Sequence, residues 1–282
     1  QKINDKKDET QFQMLKRAEL TLQQHHFLIN ECKKNKILFI STPYDIESAK
    51  FLIRNGLKII KIASTDANNL IFLRQLVTKN IKLIISTGVS NLKELDQIYF
   101  DEIINKNLKK INLLHCVSFY PAPLNELSLS SINFLKKRYN VEVGFSDHSL
   151  SLITGALAVI AGANVIEKHF TFDKKANGPD HKASLEFEEL SEYIQNIRVA
   201  EKTIGSDYKK ITRSEKDIKK SMQKSIVAAR NISKNTILKL TDLTTMRPGN
   251  GIPPYEVDKI VGKKLLVNIK KFNQVKKNQI KN

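Results

Sequence analysis

The sequence has no tryptophan, three methionines and only two cysteines among its 282 residues. Cys32 and Cys116 are too few for a disulfide framework, so they predict free thiols and a reducing compartment, the cytoplasm. No apolar run approaches the roughly 20 residues that a membrane-spanning helix needs. No signal peptide is visible, although the sequence opens on Gln1 rather than on methionine. These features argue against a disulfide-rich secreted protein and against a membrane-spanning one.

Positive charge is in excess, with 47 basic and 29 acidic residues and a formal net charge of +18. Such an excess is typical of some nucleic-acid-binding proteins. Here, however, the lysines are spread along the chain, and no aromatic residues interleave with a basic stripe. We therefore expect no specific nucleic-acid partner. The positive field would still attract an anionic substrate such as a phosphate ester.

Apolar strands alternate with amphipathic helices along most of the chain, after two helical stretches at 8–20 and 21–34. This rhythm predicts a parallel sheet covered by helices. The predicted strands are 37–42, 57–64, 82–88, 110–118, 141–145 and 165–166, and the predicted helices are 45–55, 68–79, 92–104, 128–139, 151–164 and 187–204.

Two parallel-sheet folds could accommodate these six units. Eight such units close a (β/α)8 TIM barrel, so that fold requires two more units ahead of Gln1. The alternative is an open doubly wound sheet. No G-x-G-x-x-G motif follows any strand, and polar residues end every strand, so the barrel is favoured. We assign residues 1–205 to this domain.

The character of the sequence changes after Gly205. Residues 206–221 are polar and charged, which predicts a linker. Residues 222–282 combine short apolar runs with turn residues, which predicts a small module that is irregular or rich in β-structure. Its most distinctive part runs from Arg247 to Gly251, where two glycines permit a tight turn that pushes Arg247 outward.

Two histidines follow neighbouring predicted strands within one βαβ unit. His148 ends the strand at 141–145, and His169 ends the strand at 165–166. Ligands bind at this end of parallel strands, and two neutral imidazoles could share one metal ion. Asp147, Asp180 and His181 lie near them in sequence. The alternative is a pair of ordinary hydrogen-bonded histidines.

Small hydroxyl groups end five of the six predicted strands. Together with Lys61 they would supply the short-range donors and the point charge that a phosphate group requires. The alternative is that these residues merely cap the following helices. The residues concerned are Thr42, Ser64 with Asp66, Ser86, Ser118 and Ser146.

Eight ordered motifs resemble those of the sialic acid synthase family across nearly the whole chain. They read STPYDIESA, KIASTDANN, STGVSNLKEL, LLHCVSFYPAP, GFSDHSL, IEKHFT, GPDHKASLE and RPGNG. The resemblance implies a (β/α)8 barrel followed by an SAF (antifreeze-like) domain at 222–282. Family members open with two further βα units, which carry AEIG-like and VKFQ-like motifs. The resemblance therefore implies that two units would precede Gln1.

The resemblance also implies the roles of individual residues. A divalent ion, usually manganese but also magnesium or cobalt, would be held by His148 and His169. Asp66, Lys61 and the two histidines would form the catalytic set. Phosphoenolpyruvate would contact Thr42, Lys61, Ser64, Ser86, Ser118, Ser146 and Arg247, and the sugar would contact Asp66, Tyr120 and Asp180.

Three positions depart from the family pattern. Ser118 stands where many members have Asn, Asp66 where Glu is common, and Ser221 where some members have an aromatic residue that contacts the sugar. Arg247 would reach the active site of a partner subunit, which implies a domain-swapped homodimer.

The implied reaction joins phosphoenolpyruvate to an N-acetylated mannosamine-type sugar. The form of GPDHKAS resembles that of neuraminate and legionaminate synthases more than that of pseudaminate synthases, and the expected product is N-acetylneuraminate. The alternatives are N,N'-diacetyllegionaminate synthesis or a non-catalytic remnant that binds sugar or phosphate.

Overall fold

The computed structural model describes residues 10–281, and the chain divides into two compact units between Gly205 and Ser206. Each unit is described by itself. No helix among residues 10–281 combines the length and the apolar composition needed to cross a membrane. Parts of the predicted helix at 8–20 lie outside the described residues.

The first unit is built on a parallel sheet whose strands follow one another in chain order. Neighbours in sequence are neighbours in the sheet, with no reversal of order. A doubly wound sheet reverses its strand order at a switch point, so that alternative is wrong and the barrel-type prediction is confirmed. The strands are β1 (Ile59–Ile62), β2 (Lys82–Ser86), β3 (Ile111–Cys116), β4 (Glu142–Asp147) and β5 (Ile166–Lys168).

Helices connect these strands, and most lie where the periodicity predicts them. The predicted helix at 92–104 is divided in two, because the Asp101 carboxylate accepts from the backbone N–H groups of Ile103 and Ile104 and starts a new helix. The helices of this unit are α1 (Gln11–Ala18), α2 (Leu22–Lys34), α3 (Ile46–Arg54), α4 (Leu70–Val77), α5 (Leu92–Tyr99), α6 (Glu102–Asn105), α7 (Ser130–Tyr139), α8 (Thr154–Ile160) and α9 (Phe187–Thr203).

The strand predicted at 37–42 is wrong. This segment has no regular secondary structure, and one backbone hydrogen bond, from Lys61 N–H to the Ser41 carbonyl at 3.1 Å, ties it to β1. Ile37 and Leu38 are 65% and 76% exposed. Within the described residues no further strand pairs with its outer side. A single hydrogen bond on one side does not make a ladder, so this apolar run is not held as a strand.

The core lies on both faces of the sheet, as continuous apolar strands predict. Leu83, Leu113 and Phe145 are fully buried in successive strands. Gly144 allows β4 and β5 to approach closely, because a β-carbon there would lie 2.3 Å from the Val165 carbonyl oxygen. In this pair of strands Ser146 lies opposite Glu167, and Asp147 lies opposite Lys168.

The second unit contains helix α10 (Arg213–Met222) and an antiparallel pair, β6 (Ser225–Ala228) and β7 (Leu243–Met246). Short turns and isolated bridges surround a small apolar core, which matches the predicted module. Helix α10, which was not predicted, occupies much of the segment 206–221 that was predicted as a linker. Its start is a capping box: Thr212 and Glu215 each accept from the other's backbone N–H.

Candidate active site

A cluster of small groups lies at the carboxyl ends of β1, β2 and β3. The Ser64 and Ser118 hydroxyls are 3.4 Å apart. Gly88 lies against both, since a β-carbon there would be 2.4 Å from the Ser118 Oγ. Ser86 is 4% exposed, and its Oγ has no hydrogen-bond partner of ordinary geometry within the described residues. Burying a hydroxyl without a hydrogen-bond partner costs free energy of folding. This indicates that the hydroxyl cradle, formed by Ser64, Ser86 and Ser118 around Gly88, binds a polar ligand.

Lys61 of β1 forms an ion pair with Glu167 of β5. Its ammonium lies 3.6 Å from the Glu167 carboxylate, and its side chain is 12% exposed. The Ser146 hydroxyl donates to the other oxygen of Glu167 at 2.7 Å. The Glu167 carboxylate therefore contacts one cation, Lys61, and one hydroxyl group, that of Ser146.

His148 is held in a defined orientation. Its Nδ1 lies 2.7 Å from the Val117 carbonyl, which can only accept, so Nδ1 carries the proton and donates. Its Nε2 lies 3.1 Å from the Ser146 Oγ, whose single hydrogen is directed to Glu167. Burial lowers the pKa of His148 and so favours the neutral ring. With Nδ1 donating, Nε2 is the ring nitrogen whose lone pair can accept a hydrogen bond or bind a metal ion.

His169 and Tyr120 complete an aromatic group around that lone pair. The two imidazole rings lie 5.5 Å apart, and Tyr120 packs on His148 with ring centroids 4.1 Å apart. Burial raises the pKa of Tyr120 to about 12, which keeps its phenol neutral and able to donate. The Asp180 carboxylate lies 3.9 Å from the His169 Nδ1.

The imidazole pair fits a shared metal ion. Metal-bound histidine usually donates its other ring N–H to a carbonyl or carboxylate, as His148 does. Bonds of about 2.1 Å to each ring nitrogen permit ring centroids up to roughly 6.5 Å apart, which includes the observed separation. No group of three or more His, Cys, Asp or Glu side chains within residues 10–281 has the geometry of a metal site.

Three predicted site residues lie apart from these contacts. Thr42 is half-buried, and no hydrogen bond or ion pair links its side chain to the others within the described residues. Asp66 accepts from the side chain of Asn69, which caps α4, so its contact is local. Arg247 is exposed on the second unit.

Sequence reasoning was less accurate at β5 and in the loop after it. Lys168 and Asp147 point away from the histidines, because alternate residues of a strand face opposite sides. His181 contacts Thr171 instead. Glu167 was missed as a site residue. The same alternation could have revealed it, since Glu167 and His169 share one face.

The NeuB family model matches residues 1–209, and a model of the SAF domain matches residues 223–280. The chain is 43% identical to the N,N'-diacetyllegionaminic acid synthase of Campylobacter jejuni, over 93% of this chain and 79% of the relative. It is 39% identical to the synthase of the same name from Legionella pneumophila, over 95% of this chain and 76% of the relative.

Among solved structures, the N-acetylneuraminic acid (sialic acid) synthetase of Leptospira borgpetersenii is similar. Its TM-score is 0.68 at 33% identity, over 72% of this chain and 71% of that one. The chain belongs to the NeuB family, with a SAF domain after the barrel-type domain, and it is an enzyme of this family of synthases.

Proposed function

We propose that this protein condenses phosphoenolpyruvate with an N-acetylated amino sugar to form a nonulosonic acid, and that the product is N,N'-diacetyllegionaminate. The observation that carries the proposal is that the hydroxyl cradle lies at the same end of the sheet as the contacts that run from Lys61 through Glu167 and Ser146 to the imidazole pair. An anion site beside a polar reaction site is what phosphoenolpyruvate and an aldehyde acceptor require.

The phosphate of phosphoenolpyruvate would lie in the cradle. Ser64, Ser86 and Ser118 would donate to its oxygens, and Gly88 lets the Ser64 and Ser118 hydroxyls lie close enough to share one phosphate group. Lys61 would balance the negative charge, because its ammonium is largely shielded from water and has one carboxylate nearby. Ser118 donates one hydrogen where the amide of Asn would offer two, so this contact is simpler than that of most family members.

The sugar would lie between Tyr120 and Asp180, with its aldehyde near the imidazole pair. His148 and His169 would hold a divalent ion, which when bound supplies Lewis-acid polarisation of oxygen. The metal proposed is manganese.

In the reaction, C3 of phosphoenolpyruvate forms a bond to the aldehyde carbon, and the aldehyde oxygen takes up a proton to become a hydroxyl group. Water adds to C2, and phosphate departs with cleavage of its C–O bond, which leaves a 2-keto acid. Glu167 would accept the proton of the water, since its carboxylate is held between Lys61 and Ser146. Asp66, in its local contact with Asn69, is the weaker candidate for this base.

The choice of acceptor follows the relatives. The two relatives described above both carry the name N,N'-diacetyllegionaminic acid synthase. This supports the diacetylated acceptor over N-acetylmannosamine, which was the expected acceptor, and the form of GPDHKAS is compatible with both. We further propose that Arg247 of a partner's second unit completes the phosphoenolpyruvate site in a homodimer.

Phosphate release from phosphoenolpyruvate with manganese tests the proposal. The purified protein is assayed with the 2,4-diacetamido-6-deoxy acceptor sugar, with N-acetylmannosamine and with no sugar. We expect release with the first sugar and at least a tenfold lower kcat/KM with the second. Faster release with N-acetylmannosamine would overturn the choice of product. Binding of phosphoenolpyruvate without release would instead support a non-catalytic binding protein.

Glu167→Gln provides the matched variant. It keeps the shape and removes the base, so we expect unchanged binding of phosphoenolpyruvate and a loss of turnover of roughly 100-fold or more. Asp66→Asn serves as the comparison, and a larger loss there would move the role of base to Asp66.

A further inference from the structure

A second polar network lies directly behind the imidazole pair, on the other side of β4 and β5. Its centre is the Asp147 carboxylate, which is fully buried. One oxygen accepts from the Ser149 backbone N–H at 2.8 Å and from its hydroxyl at 2.7 Å. The other accepts from Thr154 and from the Tyr193 phenol. The Lys168 ammonium lies 3.3 Å from the same carboxylate, with its side chain 4% exposed.

The placement of this ion pair connects it to the site. Asp147 directly precedes His148, Lys168 directly precedes His169, and the two are paired across β4 and β5. Because alternate residues face opposite sides of a strand, the ion pair and the imidazole pair are carried by the same short pieces of backbone. A movement of Asp147 relative to Lys168 therefore moves His148 relative to His169.

Helices α8 and α9 hold the ion pair between Asp147 and Lys168 in place. Tyr193 comes from α9 and is 1% exposed. Its phenol reaches Asp147 only because α8 carries Gly155, where a β-carbon would lie 2.5 Å from the phenol oxygen. The Lys168 ammonium also lies 5.3 Å from the centre of the Tyr193 ring. Tyr193 thus contacts both members of the pair at once.

We infer that Asp147, Lys168 and Tyr193 are positioning residues that set the separation of His148 and His169. Stability alone is a poor reason for such a group, since a buried ion pair is often no more stabilising than apolar residues of similar volume. The ion pair instead fixes the distance between the carboxyl ends of β4 and β5. The inference rests on the proposed function in one respect, namely that the imidazole pair holds a metal ion.

The test removes one hydrogen bond from the network and one matched hydrogen bond elsewhere. Tyr193→Phe deletes the phenol that donates to Asp147 at 2.8 Å. Tyr139→Phe deletes a buried phenol that donates to Asp96, also at 2.8 Å, on a different part of the sheet. Thr154→Val removes another donor to Asp147 and serves if Tyr193→Phe does not fold.

Two quantities are measured in each variant. The first is the position of the His148 and His169 imidazole resonances in protein with isotope-labelled histidine and no metal. The second is the dissociation constant for manganese, from the spin-resonance signal of the free ion. We expect Tyr193→Phe to shift both imidazole resonances and to raise the dissociation constant about tenfold or more, while Tyr139→Phe changes neither. Unshifted resonances in both Tyr193→Phe and Thr154→Val would overturn the inference.

His148→Ala separates this inference from the proposed metal site. If His148→Ala leaves manganese affinity unchanged, the metal site is wrong, and the imidazole resonances alone then decide the positioning role. If His148→Ala abolishes binding while Tyr193→Phe keeps both the affinity and the resonances of the wild type, the metal site stands and the positioning role is wrong.

Discussion

A β-carbon on Gly88 would lie 2.3 Å from the Ser64 Cβ and 2.4 Å from the Ser118 Oγ. No side chain fits at this position unless β1 and β3 move apart. The backbone at Gly88 also has a φ of +30°, which non-glycine residues rarely adopt. Gly88 is therefore what allows two hydroxyl groups from different strands to approach one another.

Gly88→Ala is expected to displace both hydroxyls and to weaken phosphoenolpyruvate binding at least about tenfold, since loss of a charge-assisted hydrogen bond costs roughly 1.5–3 kcal/mol. Titration calorimetry measures this. Gly56→Ala is the control, because Gly56 has a φ of +89° but a β-carbon there would meet nothing within 4 Å. Equal loss of affinity in both variants would show that backbone strain, rather than the cradle, is responsible.

Ser86→Ala should separate stability from binding. The Ser86 hydroxyl is buried without a partner of ordinary geometry in the described part of the chain, so removing it relieves an unmet desolvation cost of about 1–3 kcal/mol. We expect an unchanged or higher melting temperature and weaker phosphoenolpyruvate binding. A lower melting temperature with normal binding would contradict this.

Substitution of the neighbouring Thr87 is the control for Ser86→Ala, because it should change stability and leave binding unchanged. Its hydroxyl donates to the Leu114 carbonyl at 3.2 Å and is equally buried. Thr87→Val should lower the melting temperature while phosphoenolpyruvate affinity stays the same.

Ser225→Ala is expected to loosen the turn that carries Arg247. The buried Ser225 hydroxyl donates to the Pro248 carbonyl at 2.6 Å and accepts from the Gly251 N–H at 2.8 Å. Its loss leaves two groups without their partner and should lower the free energy of unfolding of the second unit by about 1–3 kcal/mol. Chemical denaturation measures this, with the exposed Ser233→Ala as control. If Arg247 acts at the site, Ser225→Ala also raises the KM for phosphoenolpyruvate, and Ser233→Ala does not.

Stability should fall as the pH decreases below about 6.5. Burial lowers the pKa of His115 from its usual 6.5, against the smaller opposing effect of its hydrogen bond to the Leu127 carbonyl. Between the two pKa values the unfolded chain binds more protons than the folded one, so unfolding is favoured by acid. Thermal melting between pH 5 and 7 should show a shallower slope for His115→Gln. An imidazole titration of His115 in the folded protein at or above 6.5 would contradict the assignment.

The spacing of the apolar residues predicted the helices and the strands from β1 onward. A helix buried on one face and a strand buried on both faces each leave a recognisable apolar pattern in the local sequence. The prediction failed at 37–42, where the apolar run is present but a strand is not. A strand needs partners for its backbone groups, and those partners are distant in sequence. It failed differently at 206–221, where a polar composition concealed α10 although Thr212 and Glu215 form a recognisable capping box.

For the site, strand-end position predicted which residues would gather, and the structure brings Lys61, Ser146, His148 and His169 together by contact. Asp66 and Thr42 were chosen by the same logic but make no such contact in the described structure. Glu167 was overlooked because it precedes the more conspicuous Lys168 and His169, and only the register with Ser146 gives it a place in the site.

The sequence by itself determined the parallel architecture, the order of the elements and the small module that follows, since these depend on local periodicity and turn residues. Alternation along a strand shows which residues share a side, but only the tertiary structure decided which residues of neighbouring strands come into contact. It alone shows that Gly88 brings Ser64 and Ser118 together and that Asp147 and Lys168 lie behind the histidines. The physical reason is that such contacts join strands tens of residues apart, and their geometry is set by packing and register rather than by any neighbour in sequence.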